Sequence, residues 1–268
     1  MRKMYKAYFG MTIAPFTNEI PVSDLFQGDQ FKELISRLKY LVETKGIGLV
    51  TGEVGSGKTV SLRAFTSSLH PSLYKTIYLS YTTGSRLDLL TSLAEHLGLV
   101  PAYTRAKLIS QIKQEVERLV EAKKIYPLLV VDEAHLLRME AIEELRLLTN
   151  YHMDSKNYLI LILIGQTELR RKLSLNVNEP LNQRIIVKYH LDGLSRKELQ
   201  DYLNHQLRRA GVSTPLFSEP AIEAIYQTSK GILRKVNLFA QASLIACMSK
   251  KAQVVDADHV REAINDLS

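Results

Sequence analysis

Apolar residues follow two rhythms along this chain, and the rhythm changes near residue 192. Ile47–Thr51, Leu128–Val131 and Leu159–Ile164 are short, nearly continuous apolar runs. Runs of this length and composition predict strands covered on both faces of a parallel sheet. Lys75–Tyr81 and Ile185–Leu191 complete the predicted strands. Helical patterns lie between them: Phe31–Glu43, Lys58 to about Leu69, a segment opened by Ser85 with Asp88 three residues on, and one beginning near Met139. Thr104–Lys124 is the clearest amphipathic helix. Leu108, Ile112, Val116 and Leu119 form its stripe, and Lys107, Lys113 and Arg118 lie outside it. The alternation predicts an α/β domain: a parallel sheet with helices on both faces.

After Leu191 the strand signals stop. Ser195-Arg-Lys-Glu198 is a capping box opening a helix that ends near Gly211, and Ser218-Glu-Pro-Ala opens another that ends at Gly231. Two more helices follow, the last opened by Asp256. This reads as a small all-helical lid. Residues 1–30, with Gly10, Pro15, Pro21 and Gly28 and little periodicity, read as an extended strap. The expected organisation is strap 1–30, α/β domain 31–192 and helical lid 193–268.

Composition adds one clue. A hydrophobic fraction of 46% and a charged fraction of 24% are ordinary for a globular protein, but a net charge of +7 favours contact with a polyanion such as nucleic acid. The single cysteine, Cys247, excludes an internal disulfide and suits a reducing cytosol. The longest apolar run, Tyr158–Ile164, is far below the ~20 residues needed to span a bilayer, and the basic N-terminus has no cleavage site of the signal-peptide kind. The expectation is a bacterial cytosolic protein with no membrane contact.

The chemistry concentrates at two of the predicted strand ends. Gly52-Glu53-Val54-Gly55-Ser56-Gly57-Lys58-Thr59 fits GxxxxGK[ST] and sits between a strand and a helix. Glycines there let backbone N–H groups approach phosphate oxygens, and the helix turns its positive end toward them. Lys58 is expected to reach the β- and γ-phosphates of ATP and Thr59 to hold Mg²⁺, with Val60 counted in the same nucleotide-binding set. Leu128-Leu-Val-Val-Asp132-Glu133 places one carboxylate, Asp132, to steady Mg²⁺ and a second, Glu133, to polarise an attacking water. The bland alternative is that both acids cap the helix near Met139. Asp132-Glu-Ala-His135 also spells the box of certain helicases, but those need a second RecA-like sheet, and only helical pattern follows Leu191. His135 is therefore read as a packing or local hydrogen-bonding residue.

With these motifs in place, the chain resembles a branch of the AAA+ ATPases that holds the ExeA-type ATPases and the transposition ATPases TniB and TnsC. The resemblance runs through Tyr8-Phe9-Gly10, Pro15-Phe16, Ile164-Gly-Gln166-Thr-Glu-Leu169, Leu181-Asn-Gln-Arg184-Ile185 and Tyr189-His-Leu191. It continues in the lid at Tyr202, Ala210-Gly211, Phe217, Gly231, Arg234 and Asn237. It implies roles by position: Gln166 as sensor 1, orienting the lytic water; Arg184 as an arginine finger acting on the neighbouring subunit's γ-phosphate; Arg234 as sensor 2. Leu233 stands where many relatives have proline. Pro15 and Phe16 are either adenine-pocket residues or plain packing.

The branch offers two functions. In one, ATP-bound subunits assemble on double-stranded DNA as a ring or helical filament, present the target to a transposase, with or without a target-selection protein, and disassemble on hydrolysis. In the other, the protein is an ExeA-like accessory ATPase of a general secretion pathway. ExeA-type proteins continue past the lid into a transmembrane helix and a peptidoglycan-binding region, whereas this sequence stops at Ser268, which leans toward transposition. For DNA, the resemblance points to Thr82–Arg86 and Thr104–Lys107, with Arg86, Thr104, Arg105 and Lys107 as backbone-contacting candidates.

Overall fold

The computed structural model describes residues 2–17, 19–80 and 85–267 and shows two compact units. The first comprises residues 33–52 and 58–191. Its centre is a five-stranded sheet of β1 (Ile47–Gly52), β2 (Tyr74–Ser80), β3 (Tyr126–Asp132), β4 (Ile160–Gly165) and β5 (Ile185–Leu191). The order is β2-β3-β4-β1-β5 and every pairing is parallel. Parallel neighbours require crossovers, and these are helices: α3 (Lys58–Ser68), α4 (Arg86–Leu97), α5 (Arg105–Lys123), α6 (Met139–Leu148), α7 (Thr167–Leu173) and the short α8 (Glu179–Asn182). Helix α2 (Asp29–Thr44) precedes β1. Tyr81, expected to end the second strand, lies outside the described residues, as do Thr82, Thr83 and Gly84.

Period-two alternation explains why the central strands look continuously apolar. Leu129, Val131, Leu161 and Leu163 enter one core with α4, α5 and α6, while Leu128, Val130, Ile160, Ile162 and Ile164 enter the other with α2 and α3. Strand β5 breaks the alternation. Ile47 pairs with Ile185 but Gly48 with Val187, so Ile186 is an extra residue in the ladder. Ile185 therefore joins one core and Val187, two residues on, the other.

The second unit comprises residues 1–32, 53–57 and 192–268. It is built on α9 (Arg196–Arg209), α10 (Glu219–Ser229), α11 (Leu233–Ser249) and α12 (Ala257–Asn265). The Ser195 capping box forms with Glu198, and Asp256 forms one with His259. The N-terminal segment departs from the expected extended strap, because Arg2–Tyr8 is a helix, α1. Tertiary packing supplies what local propensity does not: Tyr5 is fully buried among α9–α12 and its hydroxyl accepts from Gln241 Nε2.

Candidate active site

The glycine-rich turn leaves β1 at Gly52 and enters α3 at Lys58. Lys58 is buried and its Nζ donates to the Gly52 carbonyl, 2.9 Å away, which ties the ammonium to the end of β1. Ser56 Oγ is buried without a hydrogen-bond partner. Such an orphan is costly unless a ligand satisfies it, and a phosphate oxygen is the acceptor this turn suits. At Gly55, φ is +84°, and a Cβ there would sit on the Cβ of Arg234. The Gly55 carbonyl accepts from the backbone N–H of Arg234 at 3.1 Å. The structure thus brings Arg234 to the turn through its main chain, with the side chain exposed. Glu53, Val54 and Val60 are exposed.

Strand β3 ends on Asp132, buried beside α3. Its Oδ2 accepts from Thr59 Oγ1 at 2.9 Å and from the Tyr78 hydroxyl at 2.7 Å, while its Oδ1 accepts from the Glu133 N–H. Burial, then the bond to Asp132, pushes the Tyr78 hydroxyl far above the ordinary phenol range, so it stays a donor. Thr59 Oγ1 and Asp132 Oδ2 together are hard oxygen donors at the spacing one small cation can share, and magnesium characteristically takes only one or two protein oxygens beside phosphate and water. The residues therefore fit Mg²⁺ with ATP.

Glu133 adopts left-handed backbone, φ +53° and ψ +33°. Among the described residues, eight other non-glycine residues also take positive φ, the helix C-caps Lys124 and Lys230 included, so this torsion by itself marks no site. The next turn is tied down from several sides. Lys172 Nζ donates to the carbonyls of His135 and Leu137, and burial lowers its pKa. Gly165 permits close approach, since a Cβ there would meet Leu169 at 2.8 Å and the His135 nitrogen at 3.2 Å. His135 Nε2 lies 3.1 Å from Gln166 Nε2 and 3.5 Å from Glu133 Oε2, and the Gln166 backbone N–H reaches His135 Nδ1 at 3.5 Å. Gln166 and Glu133 are thus brought together, through a histidine that the sequence presents as a packing or local hydrogen-bonding residue. Its signal is the spacing, two residues beyond Glu133, but only the fold puts Gln166 opposite.

Other candidates are placed elsewhere. Arg184 donates to the Arg146 carbonyl at 3.3 Å and to Thr149 Oγ1 at 3.1 Å at the end of α6, and it pairs with Asp154. A helix C-terminus is a favourable seat for a cation, and the guanidinium is engaged within its own chain. Phe16 is buried in the core of the helical unit, edge-on to Phe217, with Pro15 also buried. That is a packing environment.

Of the DNA candidates, Lys107 is exposed and Thr104 caps α5 through its hydroxyl. Arg86 opens α4 and lines a shallow cleft with Ser85, Arg138 and Glu140. Arg105 pairs with Glu144, whose side chain is only 2% exposed and whose other oxygen has no partner. Arg105→Ala strands that carboxylate, and we expect a loss of about 1–3 kcal/mol, discounted for the half-exposed guanidinium. Thermal melting should show a fall in Tm of several degrees; an unchanged Tm would free Arg105 for a ligand.

Residues 41–173 match the AAA domain family. The chain is 32% identical over 253 residues to the general secretion pathway protein A of Aeromonas hydrophila, covering 92% of this chain and 45% of that protein. It thus spans less than half the length of this relative. Among solved structures it superimposes on Cdc6p of Pyrobaculum aerophilum with a TM-score of 0.70 at 15% identity, covering 94% of this chain and 70% of that one. For the Aeropyrum pernix ORC1 protein in complex with DNA the TM-score is 0.65 at 16% identity, with 94% and 68% covered. These likenesses show a P-loop AAA fold. No helix among the described residues is long and apolar enough to cross a membrane.

Proposed function

From the premise that residues 41–173 carry an AAA domain, we propose that this chain is a Mg²⁺-dependent ATPase of the general secretion kind, working as an accessory to a membrane-bound partner. The observation that carries the catalytic part is the pairing of Thr59 with Asp132 at 2.9 Å, with Glu133 the next residue in the chain. Thr59 and Asp132 would hold the metal, which supplies charge neutralisation to the phosphates. Lys58 binds the β- and γ-phosphates, Glu133 accepts the proton of the lytic water, and Gln166 orients that water. Arg184 completes the site of a neighbouring copy in a ring or filament, and this service requires it to leave Thr149 and Asp154. Arg234 reports the nucleotide to the lid.

The secretion reading is supported by the 32% relative, which aligns with nearly the whole chain. It reverses the leaning toward transposition taken from the last residue. Because this relative is more than twice as long as the aligned segment, where the sequence stops does not weigh between the two.

A second reading keeps the chain as a regulator of transposition, assembled on double-stranded DNA and presenting it to a transposase. The net charge of +7 favours it, as does the likeness to a protein solved in complex with DNA. The two readings separate by titrating duplex DNA at several salt concentrations with an ATP analogue present. On the DNA reading, Arg86→Ala with Lys107→Ala weakens binding and reduces the slope of log K against log salt by about 0.9 for each phosphate that is no longer neutralised. No measurable duplex binding by the unaltered protein at low salt leaves the secretion reading alone.

A further inference from the structure

We propose that His135 is a positioning residue for ATP hydrolysis, one ring that sets the Gln166 carboxamide and the Glu133 carboxylate in register with each other. The inference rests on the ATPase reading above and extends it to a residue with no assigned role.

The hydrogen-bonding options are few. A backbone N–H can only donate, so the Gln166 N–H at 3.5 Å makes His135 Nδ1 an acceptor. In a neutral imidazole that places the ring proton on Nε2. Nε2 faces Glu133 Oε2 at 3.5 Å and the end of the Gln166 side chain at 3.1 Å. A protonated Nε2 cannot accept from the carboxamide nitrogen 3.1 Å away, and the oxygen and nitrogen of a carboxamide exchange places by a half-turn. Gln166 therefore offers Oε1 to the ring, which turns its NH₂ group away, free to donate to a water or a phosphate oxygen. Without the ring, the carboxamide has no such reason to choose that orientation.

The ring itself is held. Its side chain is 11% exposed, its carbonyl is bonded by Lys172, and its backbone nitrogen lies against the bare Cα side of Gly165. Glu133, by contrast, keeps 48% of its side chain open to solvent. The one Nε2–H, shared between the carboxamide and this exposed carboxylate, limits the rotamers of the group that must meet the water. The same ring makes the two groups interdependent: a shift in Gln166 on meeting the γ-phosphate is passed to Glu133 through one side chain.

The test combines kinetics with a direct readout of the ring. ATP hydrolysis, ATP-analogue affinity and thermal melting are measured for the unaltered protein, His135→Ala, His135→Gln, Gln166→Ala and the His135→Ala/Gln166→Ala double variant. The expected result is a kcat lowered about 10- to 100-fold in His135→Ala, as when an orienting group is removed, with KM and analogue affinity within about twofold. His135→Gln, which retains a donor and an acceptor, recovers part of the loss. The double variant is no slower than Gln166→Ala alone, because both changes break one linkage. Nitrogen NMR of the imidazole should show an unprotonated Nδ1, a reading that stands if His135→Ala does not fold. Unchanged kcat in the histidine variants, strictly multiplicative losses in the double variant, or a protonated Nδ1 with a bare Nε2 would each overturn the inference while leaving the ATPase reading in place. An unaltered protein that binds ATP and never hydrolyses it would overturn both.

Discussion

Lys58→Ala is expected to weaken ATP binding by about 10²–10⁴-fold, enough to abolish any assembly that depends on it. Lys58 Nζ is tied to the Gly52 carbonyl at the end of β1, and on the proposed reading ATP takes that ammonium for its β- and γ-phosphates. A charge-assisted hydrogen bond is worth roughly 1.5–3 kcal/mol, and losing two of them, to the β- and γ-phosphates, gives that factor. The check is a titration with a fluorescent ATP analogue, with the Tm of the nucleotide-free variant showing that the fold survives. Normal affinity in a folded variant would mean the turn is not a phosphate site.

Glu133→Gln should separate binding from turnover. Removing a general base typically costs about 10²–10⁴ in rate, while a neutral amide of the same shape disturbs neither Lys58 nor the Thr59–Asp132 pair. The left-handed backbone at residue 133 stays as it is, since glutamine suits it no worse than glutamate. ATP should then remain bound, and assemblies that form with ATP should persist in light scattering and size exclusion long after those of the unaltered protein have fallen apart. Phosphate release at the unaltered rate would remove Glu133 from its role.

Much of this is legible in the sequence because the signals are local. Buried strands announce themselves as apolar runs, and the caps at Ser85, Thr104, Ser195, Ser218 and Asp256 all form where serine, threonine or aspartate precedes a periodic stretch. What escapes depends on partners distant in the chain. Helix α1 exists because Tyr5 finds the core formed by residues past 190. The irregularity at Ile186 arises from pairing with β1 and leaves no trace in β5 alone. Arg105 looks like a free cation beside Lys107, yet its carboxylate is 39 residues away on α6. His135 fits a helicase box and, with that box excluded, reads as packing or as a local hydrogen-bonding residue, with no partner named. Its neighbours Glu133 and Gln166 come from two adjacent strand ends, and only the sheet order β3-β4 brings them together.

The turn at Gly55 penalises any side chain there twice over. Two unrelated requirements meet there, a positive φ and a neighbour whose Cβ already fills the space a side chain would need. Any residue except glycine at position 234 carries that same Cβ, so swapping Arg234 for another amino acid relieves nothing. Even an exchange that cleared the space would leave the torsion unfavourable. Only glycine at 234 would clear that space, and a side chain at 55 would then still carry the cost of the positive φ.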